Sequence, residues 1–153
     1  TKHLKNTKNM QRLKQFSFVV SLLVLTSCNI GPKAIVYGND GCHFCKMTIV
    51  DKVHAAEIVT NKGKIYTFDA TECMVNFQKE FDTLEIKLYL SNNYNEPEAL
   101  IDATKATFLI SKNIPSPMGA YLSAFETKNE ALMVQSEKGG TIYSWQELLN
   151  QLH

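Results

Sequence analysis

A chain of 153 residues with 16 Lys+Arg against 15 Asp+Glu is nearly neutral, but its charges are unevenly placed. Residues 1–27 hold five of the basic residues and none of the acidic ones, so the remainder carries 11 basic and 15 acidic residues, a net of −4, with no arginine. A mildly acidic, arginine-free domain lacks the clustered cations that a phosphate backbone requires, which argues against nucleic acid as a partner. The remainder is long enough for one ordinary domain or two very small ones.

The N-terminus speaks about compartment. Lys2, Lys5, Lys8, Arg12 and Lys14 precede a nearly continuous apolar run from Phe16 to Leu25. That order is the order of a secretory signal peptide, and the run is too short to span a bilayer as a mature helix. A start at Met10 would still leave a complete signal. The run ends in Leu25-Thr26-Ser27-Cys28. A Leu three residues before a Cys, with small residues between, resembles the lipobox of bacterial lipoproteins. The resemblance implies removal of residues 1–27, acylation of the Cys28 thiol and a lipid-anchored, periplasm-facing protein. An ordinary cleaved signal with a free Cys28 is the alternative. Asn29 stands where an Asp would hold many lipoproteins in the inner membrane, so the outer membrane is the expected address. Residues 28–33 read as a tether.

Residues 34–92 are expected to form a first ββαβ unit and residues 93–153 a second. In the first, His54–Thr60 reads as a strand, Asn61–Lys64 as a turn with Gly63 free to take positive φ, and Ile65–Phe68 as the returning strand. Asp69 and Glu72 fit the N-cap and N3 positions of a helix that places Cys73, Met74, Phe77 and Phe81 at helical spacing. Glu85–Leu90 reads as a further strand. Glu57 is expected to face solvent, and the polar run Ser91–Pro97 to separate the units.

In the second unit, Ala106–Ile110 and Ala120–Ala124 read as strands around the loop Ile114–Gly119. Thr127 caps a helix to about Glu137 that is expected to bury Met133. Gly139-Gly140 turns the chain, Thr141–Tyr143 is a strand, and Ser144-Trp-Gln-Glu147 is a capping box that opens a last helix. The fold class expected is α+β.

The chemistry concentrates in Gly41-Cys42-His43-Phe44-Cys45-Lys46-Met47. Thiolates and thioethers are soft donors that select Cu(I) over hard cations. If the run from Cys45 is extended, Cys45 and Met47 point to one side, with Cys42 reaching it from the turn before. Zinc fits less well, because its sites favour four Cys/His ligands and do not use thioethers. Cys73 at a helix start and Met118 in a proline-rich loop are further candidate ligands. His43 either ligates the metal or faces water, whereas His54 and His153 carry no such signal.

Cys45-Lys-Met47, Lys62-Gly-Lys-Ile-Tyr-Thr-Phe-Asp69, Met118-Gly-Ala-Tyr-Leu-Ser-Ala-Phe125 and Gly139-Gly140 together resemble the NosL family of copper-binding lipoproteins that accompany nitrous oxide reductase. The resemblance spans essentially the whole mature chain. It implies a pair of ββαβ-type units and a Cu(I) metallochaperone, not an enzyme, that delivers copper to nitrous oxide reductase or its maturation machinery. The family's Cys-x-Met element falls on Cys45 and Met47, and its Met-Gly on Met118-Gly119. Cys42 and Cys73 are extra, and are added ligands, a disulfide or the mark of a branch with another copper client.

Cys42-x-x-Cys45 alone also suits a thiol–disulfide oxidoreductase. Against it, the β-branched Thr48-Ile49-Val50 that follows favours a strand, not the helix such enzymes place there. A Cys42–Cys45 disulfide would close so short a loop that it would stabilise little. A lipoprotein that only binds a partner protein, with its sulfurs buried, is a third reading. No nucleophile–base constellation, phosphate loop or paired-carboxylate pattern is visible.

Overall fold

The computed structural model describes residues 30–152, and the signal segment and Cys28 lie outside the described residues. The chain builds β1 (Ala56–Thr60), β2 (Ile65–Phe68), α1 (Thr71–Gln78), a short 3₁₀ turn (Thr83–Glu85), β3 (Ile86–Asn93), β4 (Glu96–Asp102), β5 (Thr107–Ile110), β6 (Leu122–Phe125), α2 (Lys128–Lys138), β7 (Thr141–Ser144) and α3 (Trp145–Gln151). The fold is α+β, and β1-β2-α1-β3 and β5-β6-α2-β7 are the two expected ββαβ outlines.

All strands join one sheet in the order β2-β1-β3-β6-β5-β7, with β4 pairing β3. In each half the first strand lies between its hairpin partner and the strand after the helix. The halves meet where β3 and β6 run parallel, at Asn93 and Ala124. The β1–β2 hairpin closes through Gly63 at φ 79°, a left-handed turn that glycine adopts without steric cost. Gly140, at φ 103°, starts β7 so close to β5 that a Cβ would run into the Ile110 carbonyl oxygen.

The polar run Ser91–Pro97 is not a separator. Ser91, Asn92 and Asn93 are buried in β3, the chain turns at Tyr94-Asn95, and Glu96-Pro97 begin β4. Their polarity is absorbed inside the protein, as where the Asn92 side chain accepts from the Tyr37 hydroxyl at 3.0 Å.

The main core gathers Ile49, Ile58, Phe68, Met74, Phe108, Leu122 and Leu148 under α1 and α3. A second cluster, Leu109, Ile114, Phe125 and Ala131, lies under α2. Phe108 and Leu109 are consecutive in β5 and so serve opposite faces. α2 buries Ala131 fully, and Met133, two residues on, is 69% exposed. Two residues turn a helix by about 200°, so Met133 is surface and the expectation of a core residue is corrected. Glu57 is the reverse case. It sits in central β1 between β2 and β3, is fully buried, and accepts the Lys33 backbone N–H at 3.1 Å. Thr127 and Ser144 form the expected capping boxes with Glu130 and Glu147. Among the described residues no helix is long and apolar enough to cross a membrane.

Candidate metal centre

The sulfur motif lies in a small hairpin ahead of β1. Gly41 bridges Thr48, the Cys42 N–H donates to the Met47 carbonyl at 2.8 Å, and the Ile49 N–H to the Asp40 carbonyl at 2.9 Å. Residues 43–46 make the tip, which closes with Lys46 in the left-handed region at φ 67°. The run from Cys45 is therefore bent, not extended, so alternation does not set the relation of Cys45 to Met47. The expected strand at Thr48–Val50 reduces to the one bridge at Thr48.

β2 holds this hairpin in place. The His43 N–H donates to the Thr67 carbonyl at 2.9 Å, and the Thr67 N–H donates back to His43 Nδ1 at 3.1 Å. The Thr67 hydroxyl donates to the Gly41 carbonyl at 3.1 Å. His43 thus spends one ring nitrogen on backbone and lies edge-on to Tyr66. It is a fastening residue between motif and sheet.

α1 brings the third thiol. Asp69 does not cap this helix. Its N-cap is Ala70, in extended backbone and without a side-chain cap bond. Asp69 is buried, and its backbone N–H is turned to the Cys42 sulfur. Burial, with the Cys42 charge next in weight, raises its carboxyl above the ordinary range. Cys73, buried in the first turn of α1, then meets the hairpin, and the Sγ atoms of Cys42, Cys45 and Cys73 all lie within 4.8 Å of one another. All three are free thiols.

Their ionisation is unequal. A hydrogen bond from Cys73, supported by the backbone N–H groups of Asp69, Cys45 and Phe44, lowers Cys42 to a pKa of about 4 in spite of its burial. The Cys45 N–H lies 3.4 Å from that sulfur. Cys73 gives its proton to this bond and is raised accordingly, and burial raises Cys45. At neutral pH the triad is one thiolate solvated by two thiols and three amides, so an incoming soft cation finds its first ligand already charged.

Met47 and Met118 are 53% and 41% exposed. The Met47 backbone closes the motif hairpin against Cys42. Met118 belongs to the β5–β6 loop, which is tied to the residue before Cys73: Glu72 Oε1 accepts from Ser116 Oγ at 2.9 Å and from the Ala120 N–H at 3.4 Å. Glu72 is therefore not the N3 half of a capping box. Its contacts are 44 and 48 residues away, and no local pattern announces them. His54 is buried and bonded to Ser123 and Asp51, apart from the thiols.

The NosL family's sequence profile matches residues 33–153. The chain belongs to the NosL family. It is 28% identical over 120 residues to a copper-binding lipoprotein NosL of Stutzerimonas stutzeri, covering 73% of this chain and 63% of that protein. The chain thus spans about 63% of the length of that curated NosL relative. The crystal structure of the copper chaperone NosL from Shewanella denitrificans superposes with a TM-score of 0.68 at 22% identity, over 77% of this chain and 95% of that one. The two chains share their fold over that 77%.

Proposed function

We propose that this chain is a lipid-anchored Cu(I) carrier that draws its copper ligands from the Cys42–Cys45–Cys73 triad and from the thioethers of Met47 and Met118. The observation that carries the reading is the convergence of three sulfurs within 4.8 Å. A metal–sulfur bond of about 2.3 Å sets in-line sulfurs about 4.6 Å apart and trigonal ones about 4 Å apart, and both fit that spacing. Soft, low-coordinate Cu(I) suits such a donor set. The copper-binding lipoprotein and the copper chaperone to which the chain is similar support copper as cargo.

Copper enters as substrate and leaves by ligand exchange. Buried Cys42 and Cys73 hold it from below, and half-buried Cys45 with the exposed thioethers leaves it open to an incoming ligand. A binding constant below that of the acceptor then moves the ion on. Family membership favours nitrous oxide reductase or its maturation machinery as acceptor. The lipobox-like Leu25–Cys28 supports anchoring in the envelope through Cys28, and Asn29 favours the outer membrane. No step in this account is catalytic.

Anaerobic competition of the reduced protein with a chromophoric Cu(I) chelator tests the reading, alongside a Cys45→Ser/Met47→Leu variant. One equivalent of tight Cu(I), lost in a folded variant, is the expected result. A wild type that cannot compete for Cu(I) sinks it. One observation favours a second reading: a thiolate at Cys42 beside the Cys45 thiol is also the resting state of a thiol oxidoreductase. That reading requires a reversible Cys42–Cys45 disulfide and indifference to Met47→Leu and Met118→Leu.

A further inference from the structure

The buried carboxylate of Glu72 has no local task. α1 begins at Ala70 without side-chain capping, and Glu72 is 5% exposed, forms no ion pair among the described residues, and leaves Oε2 unbonded there. A buried carboxylate served only by neutral donors is costly compared with an apolar residue of similar size. Its cost is set against a specific connection.

Glu72 Oε1 takes the Ser116 hydroxyl and the Ala120 N–H, the two positions that flank Met118 on either side. Ser116 Oγ in turn accepts the Tyr121 N–H at 2.9 Å, and the Gly119 N–H donates to the Ser116 carbonyl at 3.0 Å. Tyr121 is held at φ 57°, a left-handed conformation a tyrosine adopts only under restraint. One carboxylate oxygen therefore closes the loop on itself and ties it to the helix residue adjoining Cys73.

We propose that Glu72 is a positioning residue for copper binding, fixing the loop that carries Met118 against the helix that carries Cys73. This rests on the reading of Met118 as a ligand. A thioether is a neutral, weak donor, so much of its contribution vanishes if the loop must be ordered when the metal arrives. A loop tied down beforehand avoids that ordering cost.

The test is a double-mutant cycle on Cu(I) affinity in the reduced protein, with copper alone as probe. Met118→Leu and Glu72→Ala are each expected to weaken binding by about 10–100-fold, the range for outer-shell partners of metal ligands. The double variant is expected to be no weaker than Met118→Leu, and Glu72→Gln, which keeps an acceptor oxygen, to stay near wild type. Loss of one sulfur scatterer from the Cu(I) X-ray absorption spectrum of Glu72→Ala would mark the detached thioether. If Met118→Leu alone changes nothing, the ligand reading of Met118 fails and this inference with it. If Met118→Leu weakens binding while Glu72→Ala does not, or if the two losses add, Glu72 does not act through Met118 and the inference alone is overturned. Should Glu72→Ala fail to fold, Ser116→Ala cuts the same connection and is read in the same cycle.

Discussion

The unequal ionisation of the triad predicts how copper affinity depends on pH. At neutral pH Cys42 is already a thiolate, with a pKa of about 4, while Cys45 and Cys73 are raised above ordinary thiols and protonated. Binding to all three sulfurs therefore releases two protons, and log K for Cu(I) rises by about two per pH unit from pH 6 to 8. Across that window affinity changes about 10⁴-fold, or roughly 5.4 kcal/mol, strengthening as pH rises because protons compete with the metal. Cys73→Ala removes one proton from the balance. It also removes the main hydrogen bond to the Cys42 thiolate, a charge-assisted bond that contributes about 1.5–3 kcal/mol and so lifts Cys42 by about one to two pKa units. From about 4, that still leaves Cys42 ionised at pH 7, so the slope falls to about one. The assay is chelator competition at several pH values, corrected for the chelator's own protonation, with thiolate absorbance of the apoprotein followed alongside. A wild-type slope of three, with thiolate absorbance appearing only above pH 8, would refute the pre-ionised Cys42. A slope near zero would refute thiol ligation.

Four further expectations concern the scaffold. Burial raises the Glu57 carboxyl above its ordinary 4.5, so the folded state retains a proton that the unfolded chain releases. Its stabilising contribution is full below pH 4.5 and is lost as pH rises through the folded pKa. Glu57→Gln should then be about 1–3 kcal/mol more stable than wild type at pH 7, near 4 °C in Tm per kcal/mol, with the gap closing at pH 4; melting curves that show a pH-independent gap would contradict this. Gly140→Ala, at φ 103° and against the Ile110 carbonyl, should cost about 2–3 kcal/mol in denaturant unfolding, and an unchanged midpoint would count against the tight β5–β7 approach. Thr127→Ala should cost about 1 kcal/mol through loss of the α2 cap, whereas Met133→Lys should stay within about 0.5 kcal/mol; a large loss at Met133 would mean that it is packed after all.

What the sequence determined by itself is the set of signals that act over a few residues. The Gly63 turn, the boxes at Thr127 and Ser144, the strand–turn–strand–helix order of both halves and the placing of Cys42 and Cys45 in one short loop each follow from neighbours in the chain. The family resemblance was legible for the same reason, since short motifs carry it. Tertiary structure decided whatever depends on pairing between distant segments. Cys73 joins Cys42 only because β2 anchors the motif hairpin through Thr67 while α1 follows directly from β2. Glu57 lies inside because β1 is flanked on both sides, and a polar residue on a strand does not show which strands will cover it. Met133 lies outside because α2 buries a face narrow enough to be filled by Ala131 and Val134. Asp69 and Glu72 have the spacing of a cap, yet one turns its backbone to a sulfur and the other reaches across to residues 116 and 120. Hydrogen bonds formed by the folded chain outcompete the local one there, and no window of neighbouring residues contains their partners.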